Sequence, residues 1–270
     1  MSGFLSKEDI YDKNGVLLLS KGHKITREVA KKLLKLGSFK AEGLIGFDAK
    51  QKTTSSSIIQ AFGGRKKIRN NRGLEYPNKI LSTIIFESKT NPWWIYVNAL
   101  SNYVDWLYTH SIDVAIISLM MAVELKYNDK ELWNIGLGAL LHDVGKLLVP
   151  KHIIQKPGPL NKVEKVYIWQ HCELGMCSLE PFDLPKECTD MVLQHHERLD
   201  GSGYPKGLKG DEICRNAKIV MIADAVDAIT SGRPYKQPQE METAIEMLRN
   251  DEEKYSQELI ALLEKILELC

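Results

Sequence analysis

Gly136-Leu137-Gly138-Ala139-Leu140-Leu141-His142-Asp143-Val144-Gly145-Lys146 is the stretch on which the reading of this chain turns. Leu137, Ala139, Leu140 and Leu141 make a helix too apolar to face water, so the residues at its C-terminal end land inside a helical domain. Those residues are an imidazole and a carboxylate side by side. Such a pair can hold a metal, and the two oxygens of a carboxylate can bridge two metals. A second apolar run, Ile219-Val220-Met221-Ile222-Ala223-Asp224-Ala225-Val226, places Asp224 in the middle of a core stripe. A charge there is costly unless it is paired or metal-bound.

Taken one at a time, these residues also have plain structural readings. A buried histidine is often just a hydrogen-bonded core residue, and Asp224 could cap a loop or pair with an arginine. Taken together, five of the seven histidines (His110, His142, His171, His195 and His196) fall on or at the end of expected helices, with Asp143 and Asp224 in the same domain. That grouping points to a shared ligand set. His23 and His152 match no ligand position.

Outward from the quoted stretch, apolar residues recur with helical spacing over 93–108, 112–125, 131–141, 162–179, 186–196, 213–230, 241–249 and 257–269. Pro- and Gly-rich loops fall at 150–160 and 200–210. The fold class is therefore mainly α: an all-α domain over 76–270, preceded over 1–75 by a small α/β module and a polar linker. In that module Asn14-Gly15 suits a tight hairpin turn with a returning strand over 16–19. Thr26 can cap a helix over 27–36 that stops at Gly37, and a further strand fits within 39–47. The tract from 49 to 78, with Thr53 to Ser57 and then Arg65, Lys66, Lys67, Arg69 and Arg72, reads as a solvated linker or as a basic phosphate-binding patch.

Thirty-six basic and 35 acidic residues nearly cancel, so no global field selects DNA, RNA or a membrane surface as partner. The five cysteines (Cys172, Cys177, Cys188, Cys214 and Cys270) form no CxxC pair and read as reduced thiols. The N-terminus lacks the apolar run of a secretion signal, and no uninterrupted run of about 18 apolar residues suggests a membrane span. The expected setting is cytoplasmic.

The motifs agree with one family in order and spacing. They are His110-Ser111-x-x-Val114-Ala115; His142-Asp143-Val144-Gly145-Lys146; Lys156-Pro157-Gly158-Pro159-Leu160; His171-x3-Gly175; His195-His196-Glu197 running to Gly203-Tyr204-Pro205; and Ile222-Ala223-Asp224 running to Ser231, then Arg233-Pro234-Tyr235-Lys236. Over about 105–265 the chain resembles the HD-GYP phosphodiesterases, a bacterial branch of the HD hydrolase superfamily. The resemblance implies metal ligation by His110, His142, Asp143, His171, His195, His196 and Asp224, with Asp143 bridging two ions, iron or manganese. It implies a catalytic role for Asp143 and for Lys146, which can donate to the leaving oxygen. Arg233 and Lys236 match residues that grip substrate phosphates; Tyr204 either contacts substrate or packs its loop, and Glu197 would support a ligand histidine.

Some members hold a third metal through a Glu four residues before the first His. Trp106 stands there and Asp105 is one step away, turned by about 100° on a helix, so two metals are expected rather than three. Tyr255-Ser256-Gln257 replaces a Phe-Asp-Pro run frequent in the family. The implied reaction is hydrolysis of cyclic di-GMP to pGpG, with GMP as a further product, by a hydroxide held between the two metals. The alternatives are the same chemistry on 3′,3′-cGAMP, or a receptor that binds a dinucleotide without cutting it. The front module would serve regulation, homodimerisation or docking of a signalling partner.

Overall fold

In a computed structural model, the described residues are 4–5, 10–11, 17–19 and 24–25 near the N-terminus, then 72–231 and 237–268. The first groups are four short strands: β1 (Phe4–Leu5), β2 (Ile10–Tyr11), β3 (Leu17–Leu19) and β4 (Lys24–Ile25). β2 and β3 pair antiparallel, and β1 pairs antiparallel with β4. The helix expected over 27–36, the strand within 39–47 and the basic tract at 65–69 lie outside the described residues.

The rest is helical: α1 (Glu75–Ser88), α2 (Trp94–Tyr103), α3 (Asp105–Glu124), α4 (Asp129–Leu141), α5 (Lys151–Ile154), α6 (Lys162–Trp169), α7 (His171–Leu179), α8 (Lys186–Gln194), α9 (Arg215–Thr230), α10 (Met241–Asn250) and α11 (Gln257–Ile266). Helix α3 is the axis, and α1, α2, α4, α9 and α11 all pack on it. Ile112, Val114, Ala115, Ile116, Ile117, Leu119 and Met121 point in every direction around it and all are buried. A helix apolar on every side belongs at the centre of a bundle. Its stretch Trp106–Glu124 is the one helix among the described residues long and apolar enough to cross a membrane, and most of it is covered by its neighbours.

Local chemistry sets the helix starts. Asn128 accepts from the backbone N–H of Lys130 and Glu131 while Glu131 accepts from that of Asn128, closing a capping box at α4. Asn161 and Glu164 do the same at α6. The boundaries differ from the apolar pattern in three places. Helix α1 begins ahead of the expected 93–108 segment. Val104 turns extended and separates α2 from α3, so 105–124 is one continuous helix. The expected 162–179 helix divides at Gln170, where α6 ends and α7 begins.

Candidate metal centre

Helix ends and helix interiors meet here at one point. His110 lies on the second turn of α3, and Asp224 and Asp227 lie one turn apart on α9. His142 and Asp143 come directly after the last turn of α4, and Lys146 lies in the 3-10 turn Val144–Leu148. His171 opens α7, and His195 and His196 stand just past the end of α8. The HD turn reaches α7 at backbone contact. A Cβ on Gly145 would stand 1.9 Å from the His171 carbonyl oxygen and 2.5 Å from the Gly175 nitrogen. Glycine at 145 is thus what lets Asp143 approach His171.

The Asp143 carboxylate is fully buried and sits between two groups of rings. Its Oδ2 lies 3.5 Å from His110 Nε2, 3.4 Å from His142 Nε2 and 2.6 Å from Lys146 Nζ. Its Oδ1 lies 3.4 Å from His171 Nε2 and 3.8 Å from His195 Nε2. Asp224 closes the first group, with Oδ1 3.1 Å from His110 Nε2, and its Oδ2 lies 3.7 Å from His196 Nδ1. Asp143, His171, His195 and His196 could hold one cation, and His110, His142 and Asp224 a second.

The hydrogen bonds behind the rings fix which nitrogen faces inward. His142 Nδ1 donates to the Ala139 carbonyl at 2.7 Å, His171 Nδ1 to that of Ile168, and His195 Nδ1 to those of Met191 and Val192. A carbonyl can only accept, so each Nδ1 carries the proton and each Nε2 presents a lone pair toward Asp143. His171 Nε2 and His195 Nε2 stand 3.2 Å apart, lone pair facing lone pair. His142 Nε2 and Asp143 Oδ1 have no hydrogen-bond partner. Unpartnered buried acceptors converging here, with the Lys146 ammonium reaching only Asp143 Oδ2, suit a cation, and the N/O donor set fits a first-row divalent metal.

Burial holds His171 down to about 4, with the Lys146 charge acting in the same direction. Burial, with the neighbouring rings, likewise keeps His195 and His196 well below the ordinary histidine range. These three are held neutral, as a metal ligand would need to be. His110 behaves in the opposite way. Burial would lower it, but Asp224 and Asp227 overcome that and raise it to about 9. Burial would also raise the Asp143 carboxyl, yet Lys146 and His142 hold it well below its usual value.

All seven expected ligand residues are thus brought together, with Lys146 among them. Arg233 and Lys236 lie outside the described residues. Tyr204 lies against the centre: its ring centroid is 4.7 Å from that of His196 and 6.4 Å from that of His171, and Trp169 stacks on it at 5.2 Å. Glu197 does not support a histidine. Its carboxylate accepts from the backbone N–H of Lys206 at 2.8 Å and Leu208 at 3.0 Å, tying down the loop that carries Tyr204.

Two residues near the centre were not singled out from the sequence. Asp227 Oδ2 accepts from His110 Nδ1 at 2.6 Å, and its i, i+3 spacing from Asp224 was the available sign. Trp169 had no sign beyond its place two residues before His171. Trp106, in place of the third-metal Glu, sets its ring edge-on to His110 at 6.2 Å.

Residues 95–259 match the family model described as HD domain. The chain is 38% identical over 168 residues to a cyclic di-GMP phosphodiesterase of Thermotoga maritima, covering 61% of this chain and 46% of that protein. It is 35% identical over 156 residues to 3′3′-cGAMP-specific phosphodiesterase 1 of Vibrio cholerae, covering 56% of this chain and 36% of that one. The chain therefore spans less than half the length of these relatives. In fold it resembles Bd1817, an HDG"Y"P protein from Bdellovibrio bacteriovorus, with a TM-score of 0.55 at 20% identity over 98% of this chain and 96% of that one.

Proposed function

The chain belongs to the HD domain family, in its HD-GYP branch, and on that premise we propose that it is a metal-dependent phosphodiesterase of cyclic dinucleotides. Cyclic di-GMP is the favoured substrate, with pGpG as the product and GMP as a further one. The observation that carries the reading is the placement of Asp143, one oxygen toward His110 and His142, the other toward His171 and His195.

In this reading His110, His142 and Asp224 would hold one metal and His171, His195 and His196 another, with Asp143 shared between them, and iron or manganese would suit these ligands. Bound metal supplies the Lewis acidity that activates water and offsets phosphate charge. The protein's own groups do the rest. Carbonyl-anchored Nδ1 atoms keep the rings aimed, and the buried walls exclude bulk water. Lys146, 2.6 Å from Asp143 Oδ2, places an ammonium at the cluster, where it can donate a proton to the departing ester oxygen. Arg233 and Lys236 grip the phosphates, and Tyr204 lines the substrate's approach. Residues 1–75 act as a regulatory or dimerisation module, and the setting is cytoplasmic.

A second reading keeps the chemistry and changes the substrate to 3′,3′-cGAMP, the substrate named for the Vibrio cholerae relative. The test is turnover by purified protein loaded with Mn²⁺ or Fe²⁺ on cyclic di-GMP, 3′,3′-cGAMP and methyl p-nitrophenyl phosphate, read by product chromatography. Hydrolysis of a cyclic dinucleotide that falls to background in Asp143→Ala is expected. Binding without hydrolysis would make the protein a receptor, and activity surviving in Asp143→Ala would remove the mechanism.

A further inference from the structure

Three rings stack outward from the metal centre. His196 is 16% exposed at its side chain and borders the solvent side. Tyr204 lies on it with centroids 4.7 Å apart and planes 31° apart, and Trp169 lies on Tyr204 at 5.2 Å and 23°. Two backbone features lock the middle ring in place. Tyr204 N–H donates to the His196 carbonyl at 3.1 Å, and a Cβ on Gly203 would strike the backbone of Glu197 and Arg198 at 2.4 Å. The loop can therefore fold back over the paired histidines only with glycine there.

Trp169 is the anomaly in this stack. It ends α6, a helix without a single buried residue, and it is 46% exposed. Its chain neighbour Ile168 packs against the core, but Trp169 does not belong to the core. An indole stacked on Tyr204 with nearly half its surface in water has aromatic area left for a ligand. A large flat aromatic surface beside a phosphodiester centre, rigidly backed by a second ring, is a platform on which a nucleobase can stack.

We propose that Trp169 is a specificity-determining residue that stacks a purine base of the cyclic dinucleotide while the scissile phosphate lies at the Asp143 cluster. The inference rests on the reading given under Proposed function and deepens it. Tyr204 backs the platform, and the exposed surface of the indole takes the base. Because every base has a π-face, the stack selects nucleotides over small phosphodiesters without distinguishing guanine from adenine. Discrimination between the two belongs to other residues.

The test is steady-state kinetics of the metal-loaded full chain with cyclic di-GMP and 3′,3′-cGAMP, with methyl p-nitrophenyl phosphate as a diester too short to reach the indole. In Trp169→Ala, KM for the preferred cyclic dinucleotide should rise about tenfold with kcat nearly unchanged, the size expected from losing one base–aromatic stack. Trp169→Phe should restore most of the loss. Cyclic dinucleotide should also quench wild-type tryptophan emission, and that quench should disappear in Trp169→Phe. An unchanged KM, or a fall in kcat at unchanged KM, would reduce Trp169 to a buttress for Tyr204 and overturn the proposal. Wild-type protein that cleaves methyl p-nitrophenyl phosphate but no cyclic dinucleotide would overturn the substrate reading, and this inference with it. Wild type that turns over a cyclic dinucleotide beside an unaffected Trp169→Ala sinks the stack alone.

Discussion

On the Oδ2 side of Asp143, the ring of His110 stands between two further carboxylates, Asp224 and Asp227; on the Oδ1 side, His171 and His195 lean only on backbone carbonyls. The residue type is the same and burial is complete on both sides, yet the preferred charges are opposite. His110 is raised to about 9 by the carboxylates, whereas His171 is held near 4 by burial and the Lys146 charge. Neighbours one bond away therefore decide whether a buried imidazole is a cation or a neutral ligand. A metal binding beside His110 would displace a proton, whereas one binding beside His171 would meet neutral rings.

The largest effect on this comparison comes from separating the two sides. They are held in register where the HD turn touches α7, and Gly145→Ala puts a methyl carbon 1.9 Å from the His171 carbonyl oxygen. The obstructing atoms are backbone, so the turn itself must move and carry Asp143 away from His171 and His195. Loss of about 2 kcal/mol or more of stability is expected, roughly 5 °C in Tm for a domain of this size. Metal content should fall on both sides, because both share Asp143. Normal metal content and an unchanged Tm would show that the crossing is not what sets the register.

A smaller effect separates the sides by pH in protein stripped of metal. His110 has a folded value near 9 against about 6.5 unfolded. Its contribution is complete below about pH 6.5 and is lost as pH rises through 9. His171 has a folded value near 4, so between about 4 and 6.5 the unfolded chain binds more protons and stability climbs with pH. His195 and His196 act in the same direction as His171. The metal-free protein should thus be most stable near pH 6.5, with an acid limb from one side and an alkaline limb from the other. A metal held by His110 would take the place of a proton there and should flatten the alkaline limb. Urea melts from pH 4 to 10, with and without chelator, read both limbs, and an alkaline limb that metal leaves untouched would contradict the assignment.

The legible and illegible parts of this centre divide along the same physical lines. His142-Asp143 and Asp224 stand out in sequence because a charged group inside an apolar helix conflicts with its surroundings, and that conflict needs no structure to be seen. Resemblance to the HD-GYP family supplied the remaining expected ligands. Asp227 was passed over because its conflict is resolved by His110, a residue 117 positions away, and tertiary pairing leaves no trace in local periodicity. Glu197 was misplaced for a related reason. A buried glutamate beside two histidines suggests ring support, but the nearer donors are the amides of Lys206 and Leu208. Helix α3 was read as two pieces because an all-round apolar helix has no single stripe to follow, and its start depends on the extended turn at Val104.

The smallest expected effect isolates one side. Asp227 does not reach Asp143; it acts through His110, accepting from Nδ1 at 2.6 Å and also from the Ser231 hydroxyl at 3.2 Å. In Asp227→Asn the amide oxygen can still accept from Nδ1, so the ring keeps its orientation but loses the charge that enriches its lone pair. Metal affinity on the His110 side should fall about tenfold, the lower end of what loss of such a partner costs. Affinity on the His171 side should remain, since those rings are anchored to carbonyls that Asp227 does not touch. Titration of metal-free protein with Mn²⁺ or Co²⁺ should therefore change from two closely spaced steps to two separated ones. If both steps weaken together, Asp227 supports the domain rather than one ring, and the two sides of Asp143 are not independent in the way their hydrogen bonds imply.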